Sequence, residues 1–263
     1  MFFKMCKQCI LIRGLSYEHR CVRHFCPTAP AVAWADQALG RIAVQLPGAT
    51  AVFRRLKLDF CCGGRISLRR AAHDKGLDLA ALVAELSRSQ RDELPEVPTA
   101  PLALIDHILA RFHAVHREQL PELIRMARRV EAVHRDHPQV PAGLAAHLEH
   151  MEQALLDHMA KEENVLFPML KTGGNPFVPQ PIAMMRHEHV SHGAELARLL
   201  ALAHDMVSPA GACNTWRALY AGLQQFHDDL IQHIHLENNL LFPPFEPGSA
   251  PAAGACEGAC ACA

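Results

Sequence analysis

Two short segments hold the residues with the most chemistry in this chain. His158-Met-Ala-Lys-Glu162 and His233-Ile-His-Leu-Glu237 both read His-x-x-x-Glu. On a helix, positions i and i+4 share a face, so each segment sets an imidazole beside a carboxylate. The neighbours Leu155, Leu156, Val165 and Leu166 in one segment, and Leu230, Ile231, Ile234 and Leu240 in the other, are apolar. That pattern predicts that both pairs face inward. A carboxylate removed from water without a partner is very costly. An inward Glu162 and Glu237 therefore require a cation.

The two segments belong to an internal repeat. Glu162 leads into Glu163-Asn-Val-Leu-Phe167-Pro168, and 75 residues on Glu237 leads into Asn238-Asn-Leu-Leu-Phe242-Pro243. Upstream, His113 and His116 recur as His189 and His192, 76 residues on. A repeated apolar pattern would mean only a repeated core face. Here the ligand-type residues recur as well. His113, His158, His189 and His233 with Glu162 and Glu237 supply four imidazoles and two carboxylates, a set that suits two divalent metals with bridging carboxylates. Imidazole and carboxylate donors are compatible with iron, manganese or zinc, and spacing does not choose among them. The ferritin-like pattern of Glu-x-x-His is different.

The chain has 18 histidines, and most crowd the segment from His107 to His235. His107, His147, His150, His204 and His227 have no echo and read as surface or packing residues. His116 and His192, one turn from the proposed donors, are expected on the helix surface. His187 and His235 fall on another face and carry no expected role. His134 is a minor candidate for the rim of the site.

Helices must position these donors. Apolar periodicity predicts four, over about residues 102–134, 141–170, 181–205 and 214–241, with Pro121 kinking or splitting the first. Their connections are short enough for an antiparallel four-helix bundle over 102–246, in an all-α chain. Residues 34–92 read as a small helical domain, in which Asp36, Ser67 and Asp78 are candidate caps and Pro47 opens a helix. Residues 93–101 read as a linker. Residues 1–33, without periodicity, read as an extension, either disordered or a wrongly assigned start. Residues 247–263, rich in Ala and Gly, read as a disordered tail whose Cys256, Cys260 and Cys262 could meet a soft metal.

A net charge of −1 gives no reason to expect nucleic acid or an anionic membrane as a partner. No apolar run approaches a membrane span, and no export signal is evident. The ten cysteines show no even spacing, so free thiols in a reducing cytoplasm are the expectation. Cys61 and Cys62 precede Gly63-Gly64 and lie among Arg54, Arg55, Lys57 and Arg65. Nearby cations favour the reactive thiolate. The bottom-up reading leaves two options open, a thiol site or two small buried residues ending a helix.

Asp59-Phe-Cys61-Cys62-Gly63-Gly64 followed by two His-x-x-x-Glu segments resembles the di-iron family that repairs iron–sulfur clusters. Arg117-Glu-Gln-Leu-Pro121-Glu-Leu123 and Leu236-Glu237-Asn238-Asn239 are similar to it too, and the resemblance spans about residues 34–245. It implies a hemerythrin-like bundle with two irons at His113, His158, Glu162, His189, His233 and Glu237, the glutamates bridging. It implies a repair factor for clusters damaged by oxidative or nitrosative stress, acting by iron donation, with nitric oxide reduction at the di-iron centre in some members. Iron–sulfur proteins would be its clients, nitric oxide or dioxygen its small ligands, and a homodimer its assembly. It favours a functional thiol site at Cys61 and Cys62. The competing readings are a hemerythrin-like module that binds or senses dioxygen or nitric oxide, and a bundle around a structural metal.

Overall fold

The computed structural model describes residues 32–46, 48–89 and 97–246. The expected tail, most of the expected N-terminal extension, Pro47 and part of the expected linker lie outside these residues. Among the described residues the chain is all-α, and the nearest approach to a sheet is one antiparallel bridge between Ala38 and Ser67. No helix among them is long and apolar enough to cross a membrane.

Five short helices come first: α1 (Val32–Ala35), α2 (Leu39–Gln45), α3 (Ala49–Arg55), α4 (Leu68–Asp74) and α5 (Leu79–Ser89). Their apolar faces close on a core of their own that includes Leu39, Ile42, Phe53, Leu68 and Leu86, all fully buried. Each buried side chain of this size contributes roughly 1.5–3 kcal/mol. Ser67 caps α4 by accepting from the Arg70 amide at 3.3 Å, and Asp78 caps α5 by accepting from the Ala80 amide at 2.8 Å. Asp36, expected as a cap, instead pairs with Arg69 at 2.9 Å. The start of α2 is satisfied by backbone: Leu39 donates to the Ile66 carbonyl and Gly40 to the Gly64 carbonyl.

Four long rods follow. The first is α6 (Pro101–Ile108), a π-helical turn (Leu109–His113) and α7 (Ala114–Val133). The second is α8 (Leu144–Lys161), a π turn (Glu162–Leu166) and α9 (Phe167–Lys171). The third is α10 (Pro179–Leu202), and the fourth is α11 (Asn214–Leu236) with a π turn (Glu237–Leu241). Helix α7 runs on through Pro121, so the expected split does not occur. The rods close a ring in which α7 packs on α8, α8 on α10, α10 on α11 and α11 on α7. One apolar cluster fills the ring around Leu148, Leu155, Trp216 and Phe226, and a second fills the other end around Ile105, Phe112, Phe167 and Phe242. Along each rod, the His and Glu donors fall where one cluster gives way to the other.

The first five helices dock on the last rod. Helix α2 packs against the π turn that begins at Glu237. Asn239 donates to the Phe60 carbonyl at 3.4 Å, and Phe60 meets the buried His235 ring edge-on at 5.1 Å. His235 therefore has a packing role that its spacing did not suggest. The approach is close enough to demand glycine. A Cβ on Gly40 would lie 2.2 Å from Asn239 Oδ1, and one on Gly64 would lie 2.3 Å from the Phe60 carbonyl oxygen.

Two outcomes follow from this packing. Gly64→Ala meets backbone, which no rotamer change relieves, and is expected to destabilise the fold by about 1–3 kcal/mol. Gly193→Ala, on α10 with nothing within 4 Å of the new Cβ, is expected to gain about 0.5–1 kcal/mol. Urea midpoints of the two variants check both signs. Burial, with a smaller effect of Arg54, holds His235 at about 4, below its ordinary 6.5. A folded value below the unfolded one gives stability that is present above 6.5 and is lost as pH falls toward 4. Its full extent is about 3 kcal/mol. His235→Gln is expected to flatten the pH dependence of the metal-free protein's stability in that window. An unchanged slope would show that His235 is not buried in its neutral form.

Candidate metal centre

The six predicted donors converge in the middle of the ring. His113, Glu162, His233 and Glu237 place one ligand atom each within 4.8 Å of one another, and so do His158, Glu162, His189 and Glu237. Both glutamates belong to both groups. All six residues are at most 1 % exposed. The rods contribute unequally: His113 ends the first π turn, Glu162 and Glu237 open the other two, and His189 sits on the unbroken α10. The extra residue in each π turn re-aims the side chains around it. Val165, expected on the inward face, is exposed for this reason.

Without a cation this arrangement is in conflict. Both oxygens of Glu162 lack a hydrogen-bond partner, although Nε2 of His113 and of His158 lie 3.4 and 3.5 Å away. Burial, then the facing Glu237, pushes the Glu162 carboxyl well above its ordinary range. Burial also opposes the charge on Glu237, but the His233 and His189 imidazoles outweigh it and hold that carboxyl low. Burial, then the neighbouring His233, lowers His113 to about 4, and burial with His189 lowers His158 to about 2. These imidazoles are neutral at physiological pH, which is the form that binds a metal.

The outer nitrogens fix where the inner lone pairs point. His113 Nδ1 donates to Glu163 at 2.7 Å, and His158 Nδ1 donates to Glu188 at 2.8 Å. Arg117 and Lys161 hold those two carboxylates in turn. His189 Nδ1 meets Asn238 Oδ1 at 2.9 Å, while Asn238 Nδ2 donates to the Cys61 carbonyl at 3.0 Å. That second bond fixes the amide's orientation, so Oδ1 must accept and His189 Nδ1 must carry the proton. His158 Nε2 and His189 Nε2 face each other at 3.1 Å, with Glu162 3.5 Å from the first and Glu237 3.1 Å from the second. The donor set, its burial and its orphaned oxygens thus fit a metal-binding site. Aromatic rings wall it off: Phe112 stacks on His233, Phe167 on His113 and Phe242 on His189.

Several residues differ from expectation. His116 and His192 are buried, not on the surface. Each continues the inward face by one turn, and their rings lie 5.5 Å from His233 and 5.0 Å from His158. Burial keeps both below the ordinary imidazole range, His192 at about 4. His147, read as a surface or packing residue, takes the packing role: it is buried and hydrogen-bonded to the Glu195 carbonyl. His134 is not at the rim of the site but against Cys213 and Trp216. The outer partners Glu163, Glu188 and Asn238 were not singled out from the sequence. Their signal was present, since each flanks a donor by one residue.

Cys61 and Cys62 are free thiols, half-buried, with sulfurs 3.7 Å apart. They sit beside the donor cluster: Cys62 Sγ lies 3.4 Å from the His189 carbonyl oxygen. The expectation that nearby cations favour a thiolate fails for Cys61. Its neighbour Cys62, then burial, then Asp59 push its thiol well above the ordinary range. Three of the four cations have other partners, Arg54 with Asp228, Arg55 with Glu85 and Lys57 with Asp205.

Known proteins match both parts of the chain. The family described as Hemerythrin HHE cation binding domain matches residues 104–245, and that described as Domain of Unknown function (DUF542) matches residues 35–90. Similar relatives share the name Iron-sulfur cluster repair protein YtfE. The one from Pectobacterium carotovorum subsp. carotovorum is 49% identical over 215 residues, covering 81% of this chain and 97% of that protein. The one from Dickeya chrysanthemi is 47% identical over 213 residues, covering 80% and 96%. The one from Citrobacter koseri is 46% identical over 214 residues, covering 81% and 97%. With its buried His/Glu cluster inside a helical ring and similarity across nearly the whole of these relatives, the chain belongs to the hemerythrin-domain family of iron–sulfur cluster repair proteins.

Proposed function

We propose that this chain holds two iron ions, one at His113 and His233 and one at His158 and His189, with Glu162 and Glu237 shared between them. Its function is the repair of iron–sulfur clusters damaged by oxidative or nitrosative stress. The observation that carries this reading is the sharing: two fully buried carboxylates each lie within reach of both imidazole pairs. One metal would leave one imidazole pair without a cation. When bound, a reduced iron pair supplies electrons, open positions for nitric oxide or dioxygen, and iron that can be given up to a damaged cluster.

The chain's own residues set how that chemistry is held. Glu163 and Glu188 accept from His113 and His158 and make them stronger donors. Asn238, a neutral amide, does less for His189, and His233 Nδ1 has no partner, so each position pairs one strongly backed imidazole with one weakly backed one. The stacked phenylalanines exclude water from the imidazole faces. The docked Cys61-Cys62 segment favours a repair factor over a plain dioxygen carrier, which has no need of thiols beside a ligand.

Metal content of anaerobically purified protein, by elemental mass spectrometry, is expected at about two irons per chain. Zinc alone would point to a structural metal instead. Glu162→Gln is expected to lose at least half of the bound metal. It should also leave the metal-free protein as stable as the parent or more so, because it removes a buried charge conflict. Thermal unfolding with a chelator and with ferrous iron separates the two effects. Full metal retention in Glu162→Gln would overturn the assignment. Asn238→Ala leaves the His189 ring without an anchor and is expected to weaken one of the two metals by about 10- to 100-fold. The repair function itself is tested by reactivating a nitric oxide-damaged [4Fe–4S] dehydratase with the iron-loaded chain and with Glu162→Gln, where only the former should restore activity.

A further inference from the structure

The six buried donors leave no exposed ligand atom through which iron could enter or leave. A second donor group lies between them and solvent. Asp59, Cys61 and Cys62 place a carboxylate oxygen and two sulfurs within 4.8 Å of one another. Cys61 Sγ is 3.5 Å from Asp59 Oδ1 and 3.7 Å from Cys62 Sγ. The carboxylate is held in place, because Asp59 Oδ1 also accepts from the Cys62 amide at 2.9 Å. Gly63 leaves room for it: a Cβ there would lie 2.8 Å from Asp59 Oδ2. Asp59 is exposed and both thiols are half-buried, and all three line a cavity of about 980 Å³ between the first five helices and the faces of α10 and α11. On the inner side, the Cys62 sulfur touches the His189 backbone and Asn238 ties the Cys61 carbonyl to the His189 ring.

We propose that Asp59, Cys61 and Cys62 form a second cation site, specific for a thiophilic divalent ion, where iron rests in transit between solvent and the buried pair. Two thiolates and one carboxylate suit a tetrahedral ion such as ferrous iron or zinc, and leave its fourth position open toward the cavity. On binding, two S–H bonds break, two metal–sulfur bonds form and two protons leave to solvent, with no change in oxidation state. The basic residues that line this cavity, Arg54, Arg55 and Lys57, are each paired to another carboxylate, which lessens their repulsion of the ion. As a cation site the group stands without the function proposed above. As a site for iron in transit it rests on that function.

The test uses the full chain, anaerobic and reduced with a phosphine, with cobalt(II) as probe. Cobalt bound by thiolate gives a near-ultraviolet sulfur-to-cobalt charge-transfer band, which the His/Glu pair cannot give. In a Glu162→Gln/Glu237→Gln background, one equivalent of cobalt is expected to raise that band. Adding Cys61→Ser and Cys62→Ser should abolish the contribution of this equivalent, and Asp59→Asn should weaken its binding about tenfold or more. Independently of any variant, zinc is expected to shield Cys61 and Cys62 of the unaltered chain from alkylation, located by peptide mass spectrometry. No band, a band unchanged by the two serines, or equal alkylation with and without zinc would overturn the proposal. Iron in the buried pair without a thiolate band would sink this site and leave the proposed function standing. A thiolate band without metal in the buried pair would do the reverse.

Discussion

Two carboxylates buried face to face set the terms for the rest of this molecule. Taking each charge out of water costs several kcal/mol even after relaxation. No lysine or arginine reaches the oxygens of Glu162, and the imidazoles around it are neutral. The bundle accepts that cost on two rods and surrounds it with one imidazole from each of the four, which is the signature of a site built for cations. Around it, every device limits motion. Outer carboxylates orient His113 and His158, aromatic rings flank the imidazoles, and apolar clusters close both ends of the ring.

The duplicated helix pair explains how such a site arises, and where it has become uneven. Each imidazole pair takes one member from each repeat: His113 with His233, and His158 with His189. Neither repeat alone brings two imidazoles together. The outer positions have diverged. Glu163 backs His113, but its counterpart Asn238 backs His189. Glu188 backs His158, but its counterpart Phe112 stacks on His233, whose Nδ1 has no partner. The imidazoles of the first repeat are therefore braced by carboxylates, and those of the second by an amide and a ring. A chemically symmetric donor set sits in an asymmetric field.

Asn238 is where the asymmetry has found a use. Replacing a carboxylate by an amide gives up acceptor strength but adds a donor, and that donor holds the Cys61 carbonyl. The first five helices are thereby registered to a donor imidazole and not merely packed nearby. Gly40 and Gly64 permit the close approach, and Phe60 wedges against His235. The two thiols lie within one residue's thickness of the buried cluster as a result.

The helices, their phase and the six convergent donors were legible in the sequence because each rests on local periodicity. A His and a Glu four residues apart share a face whatever the fold, and a repeat that carries them along predicts a shared centre. The caps at Ser67 and Asp78 were legible for the same local reason. Tertiary structure alone decided which imidazoles pair, since the pairing crosses from one repeat to the other. It alone decided that His116 and His192 are buried, because a turn more or less of inward face depends on where the neighbouring rod lies. Asp36 became an ion-pair partner only once α4 brought Arg69 beside it. The environment of Cys61 was out of reach as well: counting nearby basic residues predicts a thiolate, but the partners of Arg54, Arg55 and Lys57 come from α11, α5 and the turn between α10 and α11. Local spacing is set by the geometry of one helix; charge balance and burial belong to residues distant in the chain, and only folding brings those together.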